Sequence, residues 1–467
     1  ISFKLCAKTG AIYGDGNSSI LVERSSFSDN AAKYGGALCV GETDVVSVSD
    51  SSFQYNEALD GAGGAIYGRN LTSLHMSGKS TLWGNSASAA GGAVYTVGCD
   101  TTVEGEGSFD FNSARTFGGA FAAERGSLSI GTEQSRFAFA NNTAVLGDGG
   151  AISLEGGWGV TDDIATVLAI GGTTLFSGNA ARNSSGGALH VQSSILTIDG
   201  NSTFLFNVAG IDGGAVHTTQ CREVGVRGDA LFESNTVPGS GGGFYGGSCD
   251  DVVLEDATFR SNRATWGGAV ALVSCGEDAT IRGSAATTSA CTFDGNQASD
   301  GGGVYSASGF DQISDSSFMN NVAASSGGAL AHSSVLLALS GSTFRNNTAG
   351  EEGYAVMSLG PLRSMDDLMF DANVQHCGVG TYGYEKTEDA AACRFLAVCA
   401  RCSTDCKGES SGVVVADPAA VPVCDKVPPG ARSAEDGGTT LETLELEPGY
   451  YRTSNQSHKV LECFQEA

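Results

Sequence analysis

The chain has 467 residues, of which 41% are hydrophobic, 16% are charged and 68 are glycine. This composition excludes a charge-rich disordered chain and favours a folded, β-rich one. Acidic residues outnumber basic ones by 52 to 25, for a formal charge of −27. No nucleic-acid partner is expected, because phosphate binding needs cationic stripes.

The sequence opens at Ile1 with no initiator Met, signal peptide or transmembrane run. It reads as a mature product or a fragment, so membrane association is expected only through segments outside this chain. From Gly10-Ala11-Ile12-Tyr13 onward two short elements alternate. The first is Phe-x-x-Asn, starting at Phe27, Phe53, Phe109, Phe139, Phe176, Phe204, Phe232, Phe259, Phe293, Phe318, Phe344 and Phe370, with Leu82-Trp83-Gly84-Asn85 filling one gap. The second is Gly-Gly-Ala-aliphatic, as in Gly35-Gly36-Ala37-Leu38, Gly63-Gly64-Ala65-Ile66 and Gly91-Gly92-Ala93-Val94, and it recurs to a worn copy at Gly353. Steps between successive Phe are mostly 25 to 30 residues.

No 3.6-period apolar face accompanies this repeat; short alternating stretches such as Ile195-Leu196-Thr197-Ile198 are broken by Gly, Asn, Ser and Asp. The period fits one turn of a solenoid with three short strands and three bends, stacked at ~4.8 Å per turn. Phe is expected to stack in a column inside the coil. Asn is expected at a bend, tolerating unusual φ and bonding its equivalent on the next turn. The paired glycines are expected to allow positive φ and close backbone approach.

Gly-Gly-Ala-Ile alternating with Phe-x-x-Asn resembles the polymorphic outer-membrane-protein repeat, within the pectin-lyase-like superfamily. The resemblance covers residues 10 to 373 and implies a right-handed parallel β-helix of about 12–13 rungs, taken as a domain over 1–374. It further implies an extracellular chain, secreted or displayed on a cell surface or outer membrane, like the autotransporter passengers that act as adhesins. The final residues Glu462 to Ala467 differ from the terminal strand of the membrane barrel in those proteins.

Two repeats are stretched: Phe139 to Phe176 spans 37 residues, with Glu155 to Thr166 as the insertion, and Phe259 to Phe293 spans 34, with the excess near Gly276 to Ala290. Loops on rigid scaffolds often carry binding. After Asn373 the repeat stops, and residues 375–467 read as a small cysteine-rich, disulfide-stapled module that caps the last rung. Cys377-Gly378-x-Gly380-x-Tyr382 and Pro448-Gly449-Tyr450-Tyr451-Arg452 resemble growth-factor-receptor-like cysteine-rich modules.

Fourteen cysteines, seven before position 300 and seven after it, point to an oxidising exterior. Cys221, Cys249 and Cys275 lie eight residues after the leading Gly of successive repeats and should stack. Rungs ~4.8 Å apart fall inside the ~4.4–6.8 Å disulfide range. Cys221–Cys249 and Cys275–Cys291 are the expected bridges, with Cys377, Cys393, Cys399, Cys402, Cys406 and Cys424 as candidates in the tail. Cys399-x-x-Cys402-x-x-x-Cys406 lacks a second matched pair and has only His376 nearby, so no metal or other cofactor is expected. Sequons begin at Asn17, Asn70, Asn141, Asn183, Asn201, Asn346 and Asn455, the candidate glycosylation sites.

A column four residues after each leading Gly holds Tyr67, Tyr95, His190, His217, Tyr245 and Tyr305. Alternation turns it outward, where it could bind sugar rings or a partner, or simply stack across rungs. The leading expectation is a non-catalytic adhesion or structural protein whose partner is a surface glycan or protein receptor. The alternative is a polysaccharide-modifying lyase, hydrolase or epimerase, which needs several Asp with a His, Arg or Lys converging on one face. The acidic pairs Asp162-Asp163, Asp250-Asp251 and Asp366-Asp367 lack such company in the sequence.

Overall fold

Short alternating segments with no two-residue hairpin turn between them cannot pair with their chain neighbours, so they pair one repeat apart. The computed structural model describes residues 10–15, 19–42, 45–156, 166–275, 278–282, 291–307, 310–333, 336–350, 353, 355–358, 362–366, 368–371 and 374–375, with short strands at 381–385, 398–400, 422–426, 431–432, 445–446, 450–452 and 460–462. Within the repeats the pairing is parallel and in register: Ile66 lies between Leu38 and Val94, and Phe204 between Phe176 and Phe232. The result is an all-β parallel solenoid with no helix among the described residues. A 14-stranded sheet follows the Gly-Gly bends, two 13-stranded sheets follow in turn, and stacks of seven and four very short strands close each coil.

The alternation selects what faces the axis. In Ser73–Ser77, Leu74 and Met76 are buried while Ser73, His75 and Ser77 are half-buried. The aliphatic residue after each Gly-Gly-Ala points inward, as do the motif phenylalanines from Phe27 to Phe344. Consecutive Phe rings lie 4.5–5.1 Å apart and within 15° of parallel. Each buried ring contributes about 1.5–3 kcal/mol by leaving water, and stacking adds about 0.5–1.5 kcal/mol more. Leu82 interrupts the stack, aligned with Phe53 and Phe109.

The motif asparagines, from Asn56 to Asn347, form a buried ladder. Asn112, for example, donates from Nδ2 to Asn142 Oδ1 at 3.1 Å and to Leu82 O at 2.9 Å. Its Oδ1 accepts both the Nδ2 and the backbone N of Asn85 at 3.0 Å. Both amide hydrogens and both lone pairs are therefore used. The expected unusual φ falls elsewhere, on the residue before Asn: Tyr55 has φ 51°, Phe111 56° and Phe206 54°. Each bend needs one left-handed residue, and a ladder amide must keep its own backbone extended to reach the next turn.

The two glycines of each pair have separate duties. Gly118 has φ +62°, a conformation that glycine adopts without strain. At Gly119 a Cβ would sit 2.1 Å from Gly150 O and 2.5 Å from Thr143 N, so contact rather than φ excludes a side chain there.

Of the first insertion, Glu155 to Thr166, residues 157–165 lie outside the described residues; in the second, Asp278–Arg282 is a regular strand of the second sheet and 276–277 and 283–290 lie outside. The boundary placed at 374 is crossed by the first sheet, since Val398–Ala400 pairs parallel with Val356–Ser358. Beyond it, Thr381–Glu385 pairs antiparallel with Pro422–Lys426. Cys377, Cys393, Cys402 and Cys406 lie outside the described residues, as do the side chains of Cys399 and Cys424.

Candidate functional site

The column after the Gly-Gly-Ala-aliphatic element stands on the outer side of the first sheet, as alternation requires, with His190 beside His217 and Tyr67 beside Tyr95. It is nevertheless covered. Tyr67 is 6% exposed, His190 6% and His217 9%, while Tyr95, Tyr245 and Tyr305 are half-buried. Residues just before the next glycine pair fold over it: Tyr34, Ala62, Ala89 and Ala90 pack with Cys39, Tyr67, Tyr95 and Ala122 as a second small core. Sequence alternation sets direction, but whether a loop lies above is a tertiary matter. Tyr67, His190 and His217 thus belong to a covered cross-rung stack, with Tyr95, Tyr245 and Tyr305 half-buried in the same column.

Its rings are stacked closely: Tyr67–Tyr95 at 5.5 Å, His190–His217 at 5.0 Å and His217–Tyr245 at 4.8 Å. Tyr95 donates to Glu124 Oε1 at 2.8 Å, and burial with that carboxylate holds its hydroxyl protonated. Burial likewise pushes Tyr245 up to about 12. The Nδ1 atoms of His190 and His217 are 3.1 Å apart, so one carries the shared proton and the other accepts it. Burial lowers the pKa of both rings; for His190 the carboxylate of Asp148 opposes this, and for His217 the neighbouring ring adds to it.

Asp148 is the densest polar node. Its Oδ1 accepts from Ser184 Oγ at 2.5 Å and Ser185 N at 2.8 Å, and lies 3.8 Å from His190 Nδ1. The order is wrong for nucleophilic catalysis: Ser184 donates to the carboxylate, and no imidazole is set to take its proton. Both rings are also closed to a polymer. Among the described residues no group of three or more His, Cys, Asp or Glu is placed to hold a metal ion. Of the acidic pairs, Asp250 is exposed and Asp251 opens a strand of the second sheet, Asp162-Asp163 lies outside the described residues, and so do the side chain of Asp366 and all of Asp367.

Cys221, Cys249 and Cys275 do occupy one column, at the bend between the first and second sheets, and all three are buried free thiols. The expected Cys221–Cys249 bond is not formed. Cys275–Cys291 is excluded by the path of the chain. Cys291 sits at the next bend, in the column of Ser316 and Ser342, and the five-residue strand Asp278–Arg282 separates the two positions. Five extended residues span ~16 Å, well beyond disulfide reach. Cys39 is disulfide-bonded, and Cys99 is free and buried. Sequons Asn70, Asn141, Asn183, Asn201 and Asn346 have exposed side chains, while Asn17 and Asn455 lie outside the described residues.

The exposed apolar surface is concentrated elsewhere, on the narrow side between the left-handed bend residue and the next glycine pair. Among the described residues thirteen large hydrophobics are exposed, and ten lie here: Tyr55, Leu59, Phe111, Phe117, Leu146, Phe206, Val208, Ile211, Trp266 and Val322. Val208 and Val322 share one column through Thr236, Arg263 and Gln297. Tyr55, Trp83 and Phe111 make an edge-on aromatic run, with centroids 4.6 and 5.9 Å apart. Motif reading missed this face because its residues hold no repeat position. One signal was present: aromatics stand directly before Asn56, Asn112 and Asn207, where Gly, Asn, Ser or Asp stands in the other described copies.

Fold and surface together define a coiled repeat rod with a closed apolar interior, a buried amide ladder and one apolar edge. Residues 290–307 match the Chlamydia polymorphic membrane protein repeat. Over 192 residues the chain is 32% identical to the probable outer membrane protein pmp7 of Chlamydia pneumoniae, a match covering 38% of this chain and 19% of that protein. One segment of the chain thus resembles the polymorphic membrane protein repeat, and the chain spans about a fifth of the length of this relative. No solved structure matches it.

Proposed function

We propose that the chain is a non-catalytic adhesion rod displayed at a bacterial outer membrane, and that its narrow apolar side makes the contact. The observation that carries this reading is the gathering of ten of thirteen exposed large hydrophobics on that side. Exposed apolar residues gathered on one side of a protein mark interaction sites. Tyr55, Phe111 and Phe206 strengthen the case, since bulky residues are held there in left-handed conformations that cost about 1–2 kcal/mol each. The similarity to an outer membrane protein supports surface display. A polysaccharide-modifying enzyme has less support, because the His190 and His217 rings beside Asp148 are closed over.

The partner is a surface glycan or a protein receptor, and one experiment separates the two. The purified chain is applied to a glycan array and to cultured cells before and after protease treatment. A variant carrying Phe111→Ser, Phe206→Ser and Trp266→Ser should lose at least tenfold in binding, while Tyr67→Phe, in the covered column, should bind as the parent does. Unchanged binding by the triple variant would sink the proposal.

A further inference from the structure

Cys221, Cys249 and Cys275 are three thiols on three consecutive turns, each one bend residue beyond a left-handed position at Gln220, Ser248 and Ser274. The registers Thr219 to Gly247 and Gly247 to Val273 place them directly above one another. Packing does not demand cysteine here, since the same bend position is filled by Leu71, Gly126 and Ser194 on other turns. Cys249 therefore stands between the other two thiols, one turn from each. Each thiol also lies near an oxygen of the preceding turn: Cys221 3.4 Å from Val191 O, Cys249 3.6 Å from Thr218 Oγ1 and Cys275 3.3 Å from Gly246 O.

We propose that these three residues form an internal thiol–disulfide exchange unit in which Cys249 bonds to either neighbour and the third thiol moves the bond between the two positions. Adjacent turns are ~4.8 Å apart, inside the ~4.4–6.8 Å Cα range of disulfides, whereas Cys221 and Cys275 are ~9.6 Å apart and cannot join directly. A small-molecule disulfide of the oxidised-glutathione class supplies the oxidation. Two protein thiols give up two protons and two electrons to form the S–S bond, and the oxidant is reduced to two thiols. Exchange then needs no further oxidant. With Cys221–Cys249 formed, the Cys275 thiolate attacks the Cys249 sulfur; the Cys249–Cys275 bond forms, and Cys221 departs as a thiolate that takes up the proton Cys275 released. The column favours this step, because attack on a disulfide runs along the S–S axis and the three residues are stacked along the rod axis. Cys249 is the shared sulfur because it alone stands one turn from both of the others.

The test uses the whole chain equilibrated with oxidised and reduced glutathione, quenched in acid, alkylated under denaturing conditions and digested with trypsin without reduction. Cleavage at Arg222, Arg227, Arg260 and Arg263 places the three cysteines in separate peptides. Expected are two linked species, Cys221 with Cys249 and Cys249 with Cys275, no Cys221–Cys275 species, and one alkylated thiol per triplet. C221S should retain only the second link, C275S only the first, and C249S neither. Ser fills the same bend at Ser194, so these variants are compatible with the coil. A fully alkylated triplet, a Cys221–Cys275 link or a single exclusive pair in the parent chain would each overturn the unit.

Discussion

Replacing Asn207 by Ala removes one step of the buried amide ladder near the middle of the rod. Four hydrogen bonds vanish: Nδ2 to Phe176 O and to Asn235 Oδ1, each 3.0 Å, and those that Oδ1 accepts from the Asn179 backbone N and Nδ2, each 3.0 Å. Two donors of Asn179 are then stranded where water does not reach, Asn207 and Asn179 both being 0% exposed. A stranded buried donor costs about 1–3 kcal/mol, so the predicted loss is about 2–6 kcal/mol. Because each turn of a solenoid contacts only its neighbours, the damage should be local. Urea unfolding should show reduced stability, and hydrogen exchange should show lost protection around residues 179 to 235, with turns near Asn85 unchanged. Asn183→Ala, at an exposed Asn whose Nδ2 donates to Val145 O, is the control and should cost under about 1 kcal/mol. If the two substitutions cost the same, the ladder is ornamental and the reasoning fails.

Gly119→Ala should cost about 3 kcal/mol or prevent folding, because the added methyl meets Gly150 O at 2.1 Å; a midpoint in urea within error of the parent's would contradict this. Phe111→Asn should stabilise the chain by about 0.5–1 kcal/mol while weakening partner binding, since Asn tolerates φ 56° better than Phe and fills the same position at Asn141. The His190–His217 pair predicts an acid dependence. Burial depresses both folded-state pKa values below 6.5, so the unfolded chain binds protons first as pH falls. Stability should therefore decline below about pH 6.5, by up to about 1.4 kcal/mol per unit for each His until its folded pKa is reached. His217→Tyr, which copies the Tyr67–Tyr95 stack, should flatten that slope; an equal slope in parent and variant would place the titration elsewhere.

The sequence alone determined the coil. Phe, Asn and Gly-Gly recur at one period because each must meet its own copy on the next turn, and the structure stacks Phe on Phe and Asn on Asn as that recurrence requires. It also aligned Cys221, Cys249 and Cys275, because equal offsets within a repeat become one column in space. Tertiary structure decided what the period cannot encode. Alternation turned Tyr67 and His190 away from the axis, yet both are buried, Tyr67 against residues that precede a glycine pair. Cys275 and Cys291, close in sequence, were parted by a strand lying between their bends. The apolar edge from Tyr55 to Trp266 was illegible for a related reason. A surface is assembled from residues whose identity the coil leaves free, so no repeat position announces it, and only their stacking at shared bends makes them one face.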